Sequence, residues 1–162
     1  MTRFHLAQIN IGRLRAPVKD PMIAEFVANL DRINALADAS PGFIWRLTGA
    51  GNNATDIQPD ANDPLMALNM SVWESPQALG AFVYRSDHQG IMRRRAEWFE
   101  KLELHIALWW VPVGYRPGVE EGWSKVETLR RLGPTAQAFT FRHIFPAPDA
   151  DQAPPPVLDE CA

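Results

Sequence analysis

The stretch LMALNMSVWESPQALGAFVYRSDH, residues 65–88, predicts a strand that leads directly into a helix. Residues 65–74 alternate with the period of two that is typical of a strand. One face has Leu68, Met70 and Val72, and the other has Asn69, Ser71 and Trp73. Ser75 is a good helix cap and Pro76 suits a first helical position. The strand therefore has a polar patch at its middle and a helix at its end.

Similar patterns on both sides of this stretch predict the fold. Strands are predicted at 3–14, 42–48 and 104–113, and a helix is predicted to begin at Asp20 and Pro21 and to end at Pro41-Gly42. A polar, turn-rich loop fills residues 49–64. The order βαββαβ predicts an α+β, ferredoxin-like fold: a four-stranded antiparallel sheet, with strands one and three central and the helices on one face.

The second face of this sheet is the basis for a predicted homodimer. An antiparallel sheet that is covered by helices on one side is normally polar on the other. Strands one and four are instead apolar or aromatic on both faces, for example at Leu6 and Ile9 in strand one and at Trp109 and Trp110 in strand four. We therefore expect a second copy of the chain to cover the open face, so that two sheets pack together as a dimeric α/β barrel.

The C-terminal part of the chain adds three further features. Residues 117–134 have helical spacing and end at Gly133-Pro134. The segment AFTFRHIF, residues 138–145, predicts an extended arm whose aromatic edge needs a groove on its own protomer or on the partner. The Pro-rich residues 146–162 predict a disordered tail after a single domain at 1–145.

Charge and composition exclude several classes of function. The net charge is −3 and the pI is about 5.8, so neither nucleic acid nor an anionic membrane is an expected partner. The one cysteine, Cys161, excludes an internal disulfide and a cysteine-based metal site. The N-terminal residues lack an apolar run of signal-peptide length, and we expect a soluble cytoplasmic protein.

Motifs for common catalytic chemistries are missing. The chain has no phosphate-binding glycine loop, no His-Glu-x-x-His pair and no G-x-S-x-G elbow. His5 and His105 lie at the starts of strands one and four, which an antiparallel pairing would place at opposite ends. We therefore predict no metal site.

A band of amides and a set of tryptophans are the candidate binding groups. Gln8 and Asn10 share one face of strand one, as Asn69 and Ser71 share one face of strand three. Because a buried amide without a partner costs roughly 1–3 kcal/mol, the band must be satisfied by itself, by water or by a ligand. A network at a dimer seam and a ligand site both fit. The candidate stacking surfaces are Trp45, Trp73, Trp98 and Trp110.

His88 and Tyr84 are the candidate catalytic pair. A helix is predicted from about 87 to 102, after a break near Ser86, and its inner stripe continues from Tyr84 through His88 to Arg95, with Met92 beside it. An imidazole there could exchange protons near neutral pH. Its place in the first helical turn disfavours protonation, so a neutral hydrogen-bonding histidine is the alternative.

The run NMSVWESPQALGAFVYRSDH at 69–88, followed by ALWWVP, resembles an uncharacterised bacterial family of the dimeric α/β-barrel superfamily. The segments LAQINIGRLRAP and SPGFIWRL also resemble it, so the resemblance spans about residues 4–145. It implies a ferredoxin-like homodimer with a cleft between helices and sheet, similar to antibiotic biosynthesis monooxygenases. Haem-degrading members have a tryptophan and a histidine on the second helix, where this chain has Phe82 and Met92.

These features together predict a small-molecule-binding protein, and the resemblance adds a cofactor-independent, monooxygenase-like enzyme acting on a hydrophobic aromatic substrate. Asn10 and Asn69 would position polar substituents, while Tyr84 or His88 would move a proton. The tryptophans named above and Met92 would line the pocket. Two alternatives stay open: a non-catalytic binding or stress-related dimer, and haem binding through His88.

Overall fold

The computed structural model describes residues 3–85 and 88–148, without the side chains of residues 85, 88, 89 and 91. A single turn of 3-10 helix, Pro21–Ile23, precedes the first α-helix. The elements in chain order are β1 Phe4–Arg13, α1 Ala24–Asp38, β2 Phe43–Arg46, β3 Met66–Trp73, α2 Pro76–Arg85, α3 His88–Arg93, α4 Arg95–Trp98, β4 Ile106–Pro112 and α5 Val119–Leu132.

The four strands form one antiparallel sheet in the order β2-β3-β1-β4, which confirms the predicted ferredoxin-like fold with strands one and three at its centre. Gln8 lies opposite Ser71 and Asn10 lies opposite Asn69, so the predicted amide band crosses the two central strands. His5 pairs with Val111 at one end of β1, while the carbonyl of His105 accepts from Ile11 near the other end.

The second face of the sheet is covered by the chain itself, which corrects the premise of the predicted dimer. Val126 and Leu129 of α5 are buried against that face. Gly122 lets α5 approach closely, because a Cβ there would meet the Met70 side chain at 2.9 Å. Nine apolar residues of that face are buried: Ala7, Ile9, Ile11, Leu68, Met70, Val72, Ala107, Trp109 and Val111.

The reason for the error lies in the C-terminal helix. The sequence predicted α5 correctly, but nothing in its spacing indicated which surface it would cover. A three-layer arrangement of helices, sheet and α5 buries both faces of the sheet without a second copy. Homodimer formation therefore stays a prediction, which the molar mass in solution tests.

The helices begin where their capping residues predict. The carboxylate of Asp20 accepts from the backbone N–H of Met22, ahead of α1. The hydroxyl of Ser75 accepts from the N–H of Ala78, at the start of α2. The predicted break near Ser86 lies outside the described residues.

The prediction of one continuous helix over residues 87–102 is wrong, because the helix is interrupted and ends earlier. Arg94 leaves helical geometry at φ −93° and ψ 4°, so α3 and α4 are separate, and Phe99 is extended. Backbone hydrogen bonds explain the end of α4. Arg15 donates to the carbonyl of Trp98, and Glu100 donates to that of Arg13, so the chain pairs with the end of β1.

The predicted arm folds back onto its own protomer. Phe139 exchanges two backbone hydrogen bonds with Leu108 at the outer edge of β4, and the segment around it consists of turns and isolated bridges instead of a strand. The arm carries the chain around this edge, from Ala138 on the α5 side to Phe141 on the helix side. The predicted alternation fails after Phe141, because His143 is exposed and Ile144 is buried.

Two further points concern the C-terminal tail and the search for a helix that could cross a membrane. All but the first three residues of the predicted tail, 146–162, lie outside the described part. Within that described part, no helix has the length and apolar character needed to cross a membrane.

We predict that Leu129→Ala lowers the free energy of unfolding by roughly 2–5 kcal/mol, because its side chain is buried between α5 and the sheet. The matched control is Leu132→Ala in the same helix, where the side chain is 59% exposed and the change should stay within about 0.5 kcal/mol. Urea denaturation measures both. Equal, small losses would contradict the placement of α5 on the sheet.

Candidate functional site

Gln8 organises the polar centre of the sheet. Its amide nitrogen donates to Asn69 Oδ1 and to Ser71 Oγ, both at 2.8 Å, and Gln8 and Ser71 are buried. Ser71 Oγ also accepts from Trp73 Nε1 at 2.8 Å. This network lies on the face that packs against α2, since Leu6 and Trp73 of the same face contact the apolar side of that helix. The network is therefore on the face opposite to the one that a second copy was expected to cover.

Asn69 is exposed although it lies in the middle of a central strand. Its oxygen is held by Gln8, while its amide nitrogen has no partner among residues 3–85 and 88–148. Asn10, directly opposite, is half-buried, and its side chain likewise bonds to none of the described groups. Two amides with spare donors and acceptors thus meet at the centre of the sheet.

The helices leave Asn69 exposed and Asn10 half-buried. The helix face has two separate apolar clusters: one contains Leu6 and Trp73, and the other contains Leu14 and Trp98. The amide band lies between them along β1. Helix α1 contributes Ala37 to the first cluster and Phe26 to the second. We call the opening above Asn10 and Asn69 the helix-face cleft.

Aromatic side chains fix one end of this cleft. The Trp73 ring is buried and stacks on Phe82 with centroids 5.3 Å apart, while Phe43 meets it edge-on at 5.4 Å. Tyr84, two residues after Phe82 in α2, is half-buried and packs edge-on against Phe141 of the arm at 5.7 Å. Trp73 therefore stabilises this end of the cleft by packing and by its hydrogen bond to Ser71. Tyr84 connects α2 to the arm.

Trp110 holds the arm in place. Its indole nitrogen donates to the carbonyl of Phe145 at 2.8 Å, and its ring lies 6.4 Å from that of Phe139. The residue shares the helix-side cluster with Tyr84 and Leu108. Its half-buried ring thus packs against the arm and does not offer an open surface on which a ligand could stack.

The other predicted site residues lie elsewhere. Trp45 packs on the α5 side of the sheet, because a bulge between Phe43 and Trp45 turns it to the opposite face. Trp98 is 2% exposed, within the cluster between α4 and α1. Met92 is half-buried in α3. The side chain of His88 lies outside the described residues.

Arg95 is a cleft residue that the sequence reasoning did not select. It lies on the inner stripe predicted from Tyr84 through His88, but no binding role was predicted for it. Its guanidinium donates to the carbonyl of Ile11 at 3.0 Å and stacks on Phe99 at 4.8 Å. Burial lowers its pKa from the usual value. The inward spacing from Tyr84 was the signal that could have identified it.

A second concavity lies on the other side of the molecule. A groove of about 780 Å³ runs between α5 and the loop near Ile57 and Pro59, with Trp123 in its wall. Most of its lining is exposed, including Glu120, Glu127 and Arg131. None of the described residues that line the groove is buried, whereas the helix-face cleft lies above the buried Gln8–Ser71 network, so we place the candidate site in the cleft.

The family model described as "Domain of unknown function (DUF3291)" matches residues 5–154. The chain belongs to the DUF3291 family. No curated protein matches it significantly. A match over this length confirms the predicted uncharacterised family, while membership of the dimeric superfamily stays a proposal.

Two solved structures are similar to this DUF3291 protein, each over 71% of its length. One is the NE2512 protein of unknown function from Nitrosomonas europaea, with 13% identity, a TM-score of 0.45 and 94% of that chain covered. The other comes from Chloroflexus aurantiacus J-10-fl, and its assignment as an antibiotic biosynthesis monooxygenase is itself provisional. It has 17% identity, a TM-score of 0.43 and 98% of that chain covered. Similarity at this level carries no argument about function.

We expect Ser71→Ala to destabilise the fold by about 1–3 kcal/mol, because it removes the acceptor shared by Gln8 and Trp73 while both donors stay buried. Chemical denaturation of Ser71→Ala and of Ser124→Ala, an exposed serine on α5, gives the comparison. A Ser71→Ala protein as stable as the control would show that the network does not hold the cleft floor.

Proposed function

We propose that this DUF3291 protein binds a small, largely apolar aromatic molecule in the helix-face cleft. The observation that carries the proposal is the exposure of Asn69 at the middle of a central strand, between two apolar clusters. Small-molecule sites typically combine an apolar, concave surface with a few well-placed polar groups. Asn10 and Asn69 are such groups, since both have hydrogen-bonding capacity that the described residues do not use.

The network beneath the cleft supports binding by holding one of these amides in place. Gln8 bonds the oxygen of Asn69, which leaves the Asn69 nitrogen to donate to a ligand acceptor. Because the floor is fixed before binding, less conformational entropy is lost when a ligand arrives. The planar face of a ring would lie against the apolar residues beside the amides, and its polar substituents would meet Asn10 and Asn69.

The finer proposal is a cofactor-independent monooxygenase. An electron-rich phenol can itself reduce dioxygen, so the protein would need only to bind it, exclude water and accept a proton. Tyr84 is the proposed proton-transfer group, because it is half-buried at the aromatic end of the cleft. His88 is a second proposed group, four residues after Tyr84 on the predicted stripe.

Binding is tested with 2-naphthol by isothermal titration calorimetry. We predict that Asn69→Ala weakens binding about tenfold, the equivalent of one lost hydrogen bond. The matched control, Asn62→Ala, removes an exposed loop amide and should leave the affinity unchanged. An unchanged affinity in Asn69→Ala, or no binding to the wild-type protein, would contradict the proposed site.

Turnover is tested with 1,4-naphthohydroquinone and no added cofactor. One oxygen atom enters the ring and the other leaves as water, which gives 2-hydroxy-1,4-naphthoquinone. We expect Tyr84→Phe to slow this reaction by about a hundredfold while binding persists, because the variant keeps the ring and loses the hydroxyl. The control is Tyr115→Phe, the only other tyrosine, whose hydroxyl lies on the surface beside Glu121.

The readout is oxygen uptake together with incorporation of label from ¹⁸O₂ into the product. Binding without uptake would contradict the enzymatic proposal and favour the non-catalytic binding protein. A Soret band in the protein as purified, lost in His88→Ala, would favour the haem alternative instead.

A further inference from the structure

Arg95 is brought to the edge of the cleft by the backbone around it. The chain after α4 pairs with the end of β1 through the bridge between Leu14 and Phe99. The Arg95 side chain then returns across Gly12, where a Cβ atom would lie 2.5 Å from the Phe99 ring and 3.1 Å from an Arg95 nitrogen. The missing side chain at Gly12 therefore makes room for both the ring and the guanidinium.

The guanidinium has hydrogen-bonding capacity to spare. It has five N–H donors, and its partners among the described residues are the carbonyl of Ile11 and the face of Phe99. Neither is an anion. The neighbouring arginines differ: Arg94 pairs with Glu25 and Glu97, and Arg13 pairs with Asp63 and Glu100.

The environment of Arg95 also favours an anion energetically. Burial lowers the pKa of its guanidinium, which means that the charged form is poorly solvated there. Arginine nevertheless stays protonated in proteins. A half-buried cation without a carboxylate would be stabilised by a negatively charged ligand group, and a guanidinium fork matches the two oxygens of a carboxylate.

The distance between this cation and the amides determines which ligand shapes can contact both. Gly12 follows Asn10 by two residues on the same face of β1, a distance of about 7 Å. Along the floor, the aromatic end at Trp73 comes first, then the amides of Asn10 and Asn69, then Gly12 beneath Arg95. A ring lying over the amides would thus need a short spacer to reach the guanidinium.

We propose that the helix-face cleft selects an aromatic carboxylic acid, in which Arg95 pairs with the carboxylate and Asn10 and Asn69 contact the ring substituents. This rests on the proposed function of the cleft and names its ligand class. An arylacetate, with one carbon between ring and carboxylate, has the spacing that the floor requires.

The test compares 2-naphthylacetate with 2-naphthylacetamide, which has nearly the same shape and no charge. Calorimetry on the wild-type protein should show a preference of about ten- to a hundredfold for the acid, as expected for a charged hydrogen-bonded pair in place of a neutral one. In Arg95→Gln, which keeps a donor for the Ile11 carbonyl, the ratio of the two affinities should approach one, with the amide bound nearly as before.

Two further variants distinguish recognition from structural support. Arg94→Gln removes an adjacent, carboxylate-paired cation and should keep the wild-type ratio. Arg95→Lys keeps the charge and should keep part of the preference, even if Arg95→Gln is unstable. Loosening of α4 alone would weaken both ligands equally and leave the ratio unchanged, and that result would overturn the proposal.

The failures of the two proposals are distinguishable. Equal binding of acid and amide by the wild-type protein would overturn the role of Arg95 and leave the binding cleft standing. Binding of neither probe would contradict the cleft itself and, with it, the ligand class.

Discussion

The centre of this molecule depends on one buried amide. Gln8 donates to Asn69 and Ser71 across the two central strands, and Ser71 in turn accepts from Trp73. An amide in that position must be hydrogen-bonded, because a buried donor without a partner is costly. Satisfying Gln8 fixes Asn69 in the open middle of the sheet. The position of Asn69 in the cleft is therefore a consequence of the hydrogen bonds that the buried Gln8 side chain requires.

The sheet is the middle of three layers. Helix α5 buries its apolar second face, and the arm at 138–145 passes around the β4 edge to complete the helix side. Both faces and one edge are thus covered by the chain itself. This arrangement removes the physical need for a second copy behind the sheet, and it leaves Asn69 exposed in the helix-face cleft.

Local periodicity predicted much of this architecture, because a strand places alternate residues on one face whatever surrounds it. The four strands and the meeting of Asn10 with Asn69 followed from that rule, and the caps at Asp20 and Ser75 followed from the capping preference of their side chains. Elsewhere the prediction failed where the backbone deviates from regular strand or helix geometry. A bulge in β2 turns Trp45 away from the cleft. The non-helical geometry of Arg94 interrupts the helix predicted at 87–102. Residue spacing does not predict which face α5 covers, because this depends on tertiary contacts. For the same reason, spacing does not predict that Arg95 has no carboxylate partner in the described structure.

The most direct test of the account is a titration of ¹⁵N-labelled protein with 2-naphthylacetate, followed through its side-chain N–H signals. The account predicts saturable shifts of the Asn10 and Asn69 amide signals, with little change at the Trp123 indole in the groove beside α5. Shifts confined to Trp123, or amide signals of Asn10 and Asn69 that do not move at saturating ligand, would contradict the helix-face cleft as the binding site.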